Sequence, residues 1–287
     1  MSDAVRVACC QLATDVEDPA ASAARTRAAI AEAIDAGAAI VVVPELSNSG
    51  YIFRSEDEAR AAAIRPDDPL LQDWAAEAAR GDAMVIGGFC ELGADGQLYN
   101  SSALVDGEGV QAIYRKIHLW DEEERWFKPG PISPPVVETR YGRIGLAICY
   151  DIEFPELMRG LALQGADLIA LPANWPRDVN PPDGRPILHS LPAVTGYLNK
   201  VFVAVCDRCG TERGVEFQGG SVIAGPAGAH RAGPVEDRGE AILYAELDLE
   251  TARDKRSSER NDAFADRRPD RYAHILLEPT SSPLVEA

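Results

Sequence analysis

The chain reads as an α/β fold in which two sheets are covered by helices, an α-β-β-α sandwich. Three observations predict it. Strand-like apolar runs alternate with amphipathic, helix-like segments along nearly the whole length. Several runs, such as AAIVVVPE at 38–45 and ADLIALPAN at 166–174, are continuous and not alternating, as expected of strands buried on both faces. No linker or low-complexity tract interrupts residues 1–250, so a single domain is expected there. A charged, Pro-containing, poorly periodic tail follows at 251–287.

In order, VRVACCQL (5–12) reads as a strand. Residues 20–36 form an amphipathic helix with Ala23, Ile30 and Ile34 on one face and Arg25, Glu32 and Asp35 away from it. The run 38–45 is a buried strand and 70–80 a helix. Strands at 83–92 and 99–105 are joined by a turn at Asp95-Gly96, and 109–119 extends that meander. VVETRYG and RIGLAIC are strands with a turn between them. Residues 155–165 form a helix with Pro at its first position and Gly at its end. A strand at 166–174 and a helical stretch at 185–199, interrupted at Pro192, come next. VFVAVC, SVIAG and the long alternating AILYAELDLE (241–250) complete the strands.

Composition excludes several classes. Hydrophobic residues make up 46% and charged residues 26%, which rules out a disordered chain, a collagen and a disulfide miniprotein. No apolar run reaches the length of a membrane span. The N-terminus MSDAVRVACCQLA lacks the basic and apolar segments of a signal peptide, so a cytoplasmic location is expected. With 46 acidic against 28 basic residues the net charge is −18, a field that repels phosphate backbones and anionic membranes. Neither nucleic acid nor membrane is expected as a partner. The basic side is nearly all arginine: the lysines are Lys116, Lys128, Lys200 and Lys255, so a lysine inside a motif stands out.

Six cysteines in a chain of this kind do not suggest a disulfide framework. Cys206 and Cys209 form a lone C-x-x-C. His118, His189, His230 and His274 are not spaced to complete a zinc site, so no metal is expected, and Cys206 reads as the end of a buried strand. P-loop, dinucleotide-binding, G-x-S-x-G and H-E-x-x-H motifs are all absent.

Three places look suited to chemistry. Pro44-Glu45 puts a carboxylate at the end of a buried strand, where α/β proteins place sites, although a loop acid reads the same way. Lys116 lies in YRKIHL among apolar neighbours, and taken alone it reads as a solvated strand face. Cys149 ends the strand RIGLAIC and a helix begins within six residues, an elbow that holds a nucleophile exposed; a buried structural cysteine is the alternative.

Together, VVVPELSNSGY around Glu45, YRKIHL around Lys116 and GLAICYDIEFPE around Cys149 resemble the nitrilase, or carbon–nitrogen hydrolase, superfamily with its Glu–Lys–Cys triad. A fourth segment, Glu123-Glu-Arg-Trp-Phe-Lys-Pro-Gly130, is similar to the family's E-x-x-x-F-x-P-G. Counting back from Pro129-Gly130 selects Glu123 as a second glutamate, with Glu122 and Glu124 as alternatives. The resemblance covers about residues 5–250 and makes residues 1–250 a carbon–nitrogen hydrolase domain. It implies that Cys149 attacks the substrate carbon, that Glu45 takes and returns the proton, and that Lys116 faces the oxyanion. A thioester then forms, and Glu123 orients Lys116 or the substrate. No metal or organic cofactor is implied.

True nitrilases carry Cys-Trp-Glu where this chain has Cys149-Tyr150-Asp151, which resembles the amidase and carbamoyl-amide branches. Tyr150, Asn174 and Trp175 are expected to line the pocket, with Arg177 and Arg185 as candidates for a substrate carboxylate. A small carboxylic amide is the expected substrate, with an N-carbamoyl amine or acid second, a nitrile third and a non-catalytic interaction domain last. A thiol redox protein using Cys206 and Cys209 is the alternative from another class. The resemblance also implies a homodimer or higher oligomer. Its contact is expected at 153–165 and 190–200, through Leu157, Leu161, Leu191 and Val194, and the tail is expected to pack on the partner subunit.

Overall fold

The computed structural model describes residues 4–177, 186–236 and 239–277. The chain divides into two units, residues 1–254 and 255–287. Within the first, two six-stranded sheets are built to one plan. One contains β1 (Val5–Gln11), β2 (Ile40–Val42), β3 (Met84–Leu92), β4 (Leu98–Asp106), β5 (Gly109–Arg115) and β14 (Ala241–Leu247), in the order β14-β1-β2-β3-β4-β5. The other contains β6 (Val136–Thr139), β7 (Gly142–Leu146), β8 (Leu168–Ala173), β9 (Phe202–Asp207), β12 (Val222–Ala224) and β13 (His230–Ala232), in the order β13-β12-β9-β8-β7-β6. Each has a parallel centre of three strands, β1-β2-β3 and β7-β8-β9, flanked by antiparallel strands.

The continuous apolar runs are explained by burial on both faces. Ala8, Cys10, Val41, Val43, Val85 and Phe89 pack with Ile30, Ile34, Leu71 and Trp74. Those four belong to the helices α1 (Pro19–Asp35) and α3 (Pro69–Gly81). The alternate residues Val7, Cys9, Ile40, Val42 and Ile86 are equally buried and turn to the second sheet, where β1 meets β9 and β2 meets β8. Each such aliphatic side chain contributes about 1.5–3 kcal/mol of transfer free energy on full burial. Asp18 and Asp68 cap the two helices, and each helix opens with a proline.

The second sheet is covered by α5 (Pro155–Leu163) and α6 (Leu191–Asn199). Pro192 is in the first turn of α6, where its missing N–H costs nothing, and so it opens a helix where the sequence suggested an interruption. A short 3-10 turn, Ile187–His189, precedes it; Arg185 lies outside the described residues. Two further strands end earlier than expected. β5 stops at Arg115, one residue short of Lys116, and β7 at Leu146, three short of Cys149. Also not foreseen are α2 (Glu56–Ala62), α4 (Glu123–Trp126), the ribbon of β10 (Thr211–Glu212) with β11 (Val215–Glu216), and β13. A 3-10 turn, Leu249–Arg253, runs into the expected tail, and α7 spans Pro269–Leu277 within it. Among the described residues no helix is long and apolar enough to cross a membrane.

Candidate active site

The C-terminal ends of the parallel strands deliver Glu45, Cys149 and Asn174, as open α/β sheets do, and the antiparallel edge strand β5 delivers Lys116. Glu45 lies three residues beyond β2. Its segment is pinned to β3, with Gly88 N–H donating to Pro44 O and Ser47 N–H to Gly88 O. A Cβ on Gly88 would stand 2.4 Å from the Cα of Glu45, so only glycine admits this approach. Lys116 follows β5. Its N–H donates to Asn100 O and its carbonyl accepts from Gly130 N–H. A Cβ on Gly130 would stand 2.2 Å from Arg115 O. The Pro129-Gly130 pair is therefore packed on the backbone that carries Lys116.

Lys116 is wholly buried between two carboxylates. Its Nζ donates to Glu45 Oε1 at 2.8 Å and to Glu123 Oε1 at 2.7 Å. Tyr51 OH donates to Glu123 Oε1 at 2.6 Å, and Asn100 Nδ2 donates to Glu45 Oε1 at 2.7 Å. Glu123 is buried while Glu122 and Glu124 are exposed, Glu122 pairing with Arg125. An ammonium has three protons and two are committed here, so one remains for another acceptor. Glu45 Oε2 is buried and has no partner among the described residues.

Cys149 has φ of +46°, left-handed backbone that a β-carbon disfavours, and it opens the 3-10 turn Cys149–Glu153. Buried Asp151 holds that turn. Its Oδ2 accepts from Ile148 N–H at 2.9 Å and from Tyr114 OH at 2.8 Å, and its Oδ1 is 2.8 Å from His118 Nδ1. Tyr114 and His118 lie two residues to either side of Lys116. One carboxylate thus ties the cysteine turn to the lysine segment. The backbone N–H of Asn174, just past β8, reaches the Cys149 sulfur. Its neighbour Trp175 donates its N–H to Asp207 Oδ1 at 2.9 Å, and Gly220 N–H donates to Asp207 Oδ2 at 3.2 Å. Trp120, Tyr150, Asn174 and Trp175 line the pocket above Cys149.

Burial pushes the Cys149 thiol well up; Glu45 adds to this, and Lys116 and the Asn174 N–H oppose it. The resting group is a thiol, and attack requires a base. Burial also raises the Glu45 carboxyl against the pull of Lys116, which brings it towards the proton affinity of a general base. Desolvation disfavours the Lys116 ammonium, but Glu123 and Glu45 more than compensate and it stays charged. The set can therefore take a proton from the thiol, stabilise negative charge on the oxygen of a carbonyl that the sulfur has attacked, and return the proton.

All four polar groups expected from the sequence come together, as do Tyr150, Asn174 and Trp175. Arg177 does not join them: it pairs with Glu216 at 2.6 Å, because that carboxylate on β11 is within its reach. Leu161 is fully buried in the core and cannot be a surface contact. Cys206 is buried and its thiol donates to Cys10 O. Sequence reasoning missed Tyr51, Asn100 and Asp207. Each had a signal: Tyr51 closes the Glu45 segment, Asn100 is an amide opening an otherwise buried strand, and Asp207 repeats the pattern of an acid after a buried run.

The profile of the Carbon-nitrogen hydrolase family matches residues 6–257. A nitrilase of Pyrococcus abyssi is 35% identical over 269 residues, covering 93% of this chain and 99% of that protein. An N-carbamoylputrescine amidase of Arabidopsis thaliana is 32% identical over 281 residues, covering 91% of each. Among solved structures, a mutant of the amidase from Nesterenkonia sp. AN1 superposes with a TM-score of 0.76 at 25% identity, covering 95% of this chain and 97% of that one. It shows covalent addition of the acetamide moiety of fluoroacetamide at its active-site cysteine. A family profile spanning most of the chain, relatives of matching length and a shared fold agree with the geometry above: this chain belongs to the carbon–nitrogen hydrolase family, in the amidase-like branch of the nitrilase superfamily, and is a hydrolase of carbon–nitrogen bonds.

Proposed function

We propose that the enzyme hydrolyses a small carboxylic amide to its acid and ammonia through a thioester on Cys149. The observation that carries this reading is the unpartnered Glu45 Oε2 beside a strained, buried Cys149. The sulfur attacks the amide carbon and its proton passes to Glu45 Oε2. The resulting oxyanion accepts the third proton of Lys116 Nζ and the Asn174 N–H as hydrogen bonds. On collapse the carbon–nitrogen bond breaks, Glu45 returns the proton to nitrogen, and ammonia leaves. Water then gives a proton to Glu45, attacks the thioester, and releases the acid and the thiol. Glu123 orients Lys116; Tyr150, Asn174 and Trp175 shape the pocket.

A nitrile would form a thioimidate, with developing charge on nitrogen and no leaving group to protonate, and so it asks for differently placed donors. Ammonia release from propionamide is expected to exceed that from propionitrile by about tenfold or more, roughly 1.4 kcal/mol of transition-state discrimination. Equal or reversed rates would move the protein to nitrile hydrolysis. The relative named N-carbamoylputrescine amidase supports a second reading, an N-carbamoyl amine as substrate. Activity on such a compound with silence on both propionyl compounds selects it.

The working enzyme is proposed to be at least a dimer. Leu163 of α5 and Val194, Tyr197 and Leu198 of α6 are large apolar side chains about half exposed, and together they form a face suited to a second copy. The tail after residue 250 is proposed to reach that partner. Light scattering giving 30.9 kDa at micromolar concentration would contradict both statements.

A further inference from the structure

The pocket above Cys149 has a feature that amide hydrolysis itself does not use. Glu153 closes the 3-10 turn that Cys149 opens, and this exposed residue lines the mouth of the same pocket. Four residues of 3-10 rise put it about 8 Å along the turn from the nucleophile. It has no hydrogen bond or ion pair among the described residues. Partial burial raises its carboxyl above the usual carboxylate range. The walls are aromatic: Trp120, Tyr150 and Trp175, with the Trp120 and Tyr150 rings edge to face at 4.8 Å.

A second observation points to a ligand in the same space. Asn174 lines this pocket and is wholly buried, yet among the described residues neither Oδ1 nor Nδ2 of its side chain has a partner. A buried amide left without partners costs roughly 1–3 kcal/mol, a cost that a polar ligand in the pocket removes. The pocket lining therefore combines the amide of Asn174, aromatic side chains and a carboxylate that has no partner among the described residues.

We infer that the enzyme selects substrates carrying a positive charge at the end opposite the scissile amide, with Glu153 as the counter-ion and Trp120, Tyr150 and Trp175 as the walls of the cation site. Aromatic faces attract ammonium groups through their quadrupole, and a carboxylate beside them fixes where the charge sits. The inference rests on the amidase reading and adds a substrate class to it: ω-amino amides, or carbamoyl derivatives of diamines. Glu153 acts as a specificity residue and takes no part in bond making.

The test compares γ-aminobutyramide with valeramide, its neutral isostere, and with succinamate, which carries a negative end. The cationic amide is expected to have a kcat/KM about tenfold or more above valeramide, with succinamate the poorest. Glu153→Gln should bring the cationic and neutral amides to within about twofold of each other, chiefly by raising the KM of the cationic amide. Glu156→Gln removes the same charge from an exposed acid of α5 outside the pocket lining and should leave the preference intact, which separates a local counter-ion from the general field of the acidic chain.

A parallel readout needs no turnover. Methanethiosulfonates react at Cys149 by forming a disulfide to the reagent's thioalkyl group and expelling methanesulfinate, the thiol proton passing to Glu45. Labelling by the aminoethyl reagent should outpace the sulfonatoethyl reagent, and Glu153→Gln should narrow that ratio where Glu156→Gln does not. A cation preference absent in the wild type, or one that survives Glu153→Gln, overturns the inference. Valeramide hydrolysis that vanishes in Cys149→Ala upholds the amidase reading independently. If no amide is turned over, that reading fails and the labelling ratio alone decides the inference.

Discussion

The two sheets share a plan and supply opposite halves of the site. From the ends of β2 and β5 come Glu45 and Lys116, charged and buried, locked with Glu123, Tyr51 and Asn100 into a network whose main unused acceptors are Glu45 Oε2 and Asn100 Oδ1. From the ends of β7 and β8 come Cys149 and Asn174. One sits on left-handed backbone and the other has an unpartnered amide. The contrast follows from what each group must do. A buried charge is tolerable only when paired and hydrogen-bonded. A nucleophile and a substrate-facing amide are useful only while their partner is absent. One half is thus rigid by satisfaction, the other held ready by strain, and Asp151 joins them through Tyr114 and His118 on one side and Ile148 on the other.

Removing the strained half's reactive atom should have the largest effect. Cys149→Ala is expected to leave less than about 1% of amidase activity, because loss of a covalent nucleophile costs orders of magnitude. Its fold should persist. Cys149→Gly should be equally inactive but more stable than the alanine variant by about 1 kcal/mol, since glycine relieves the left-handed backbone. Thermal melts of the pair check the strain, and ammonia release checks the chemistry. Equal melting temperatures would mean that the turn stores nothing.

Breaking the satisfied half comes next. Lys116→Ala should lose activity that Lys116→Arg does not restore, because a planar fork does not fit a slot cut for a compact ammonium between two carboxylates. The alanine variant leaves Glu45 and Glu123 facing each other in the interior, which costs about 3–5 kcal/mol unless one of them takes up a proton. Its stability should therefore improve as pH falls, opposite to an ordinary acid denaturation. An arginine variant near wild-type rate would dismiss the triad reading at that member.

The same contrast explains what was legible in the sequence. Strand ends are marked by where apolar runs stop, so Glu45, Asn174 and Cys149 could be placed on site-forming edges. Lys116 stood out because lysine is rare in this chain. The exact ends of β5 and β7 were not legible, because the residues after them, Lys116–Leu119 and Ala147–Cys149, are as apolar as the strands they leave. Their departure is decided by distant partners, Gly130 for one and Asp151 for the other. Tyr51, Asn100 and Asp207 carry local signals, but their pairings do not: that Tyr51 meets Glu123, or Trp175 meets Asp207, is a fact of tertiary packing. Likewise α2 and α4 are too short to show a period, and Leu161 looked like part of an apolar surface until the second sheet covered it.

Asp207 sharpens the comparison from the side of stability. It lies in the second half but is buried like the charges of the first, and burial raises its carboxyl from 3.8 to about 7 despite the N–H groups of Trp175, Gly220 and Arg208. A carboxyl raised on folding binds its proton more tightly in the native state, so stability falls as pH rises from about 4 to about 7 and is flat above that. Asp207→Asn removes the titration. The difference in unfolding free energy between variant and wild type should therefore shift in the variant's favour by a few kcal/mol across that window, as denaturant melts at pH 4 and pH 8 would read. A constant difference would show that the N–H groups hold Asp207 ionised throughout.

The smallest effect is expected at Tyr51, where the satisfied half can be loosened by one hydrogen bond. Tyr51→Phe removes the donor to Glu123 Oε1 and little else. The backbone N–H of Tyr51 is held separately by Glu212 Oε2 at 2.9 Å, and Glu212 is itself paired with buried Arg208. The ring also keeps its edge-to-face contact with Phe217 at 6.0 Å. The loss is therefore confined to a hydrogen bond to a charged group, worth about 1.5–3 kcal/mol, of which only the part felt by Lys116 in the transition state reaches the rate. About a tenfold fall in kcat with little change in KM is expected. Burial and the neighbouring Glu123 raise the Tyr51 phenol well above 10, so it remains a donor and the ratio of variant to wild type should be constant from pH 6 to 9. A variant at full rate would show that Lys116, with Asn100 Nδ2 donating to Glu123 Oε2 at 3.4 Å, suffices to hold Glu123. A loss matching that of Cys149→Ala would mean that Glu123 takes part in the chemistry and does more than orient the lysine.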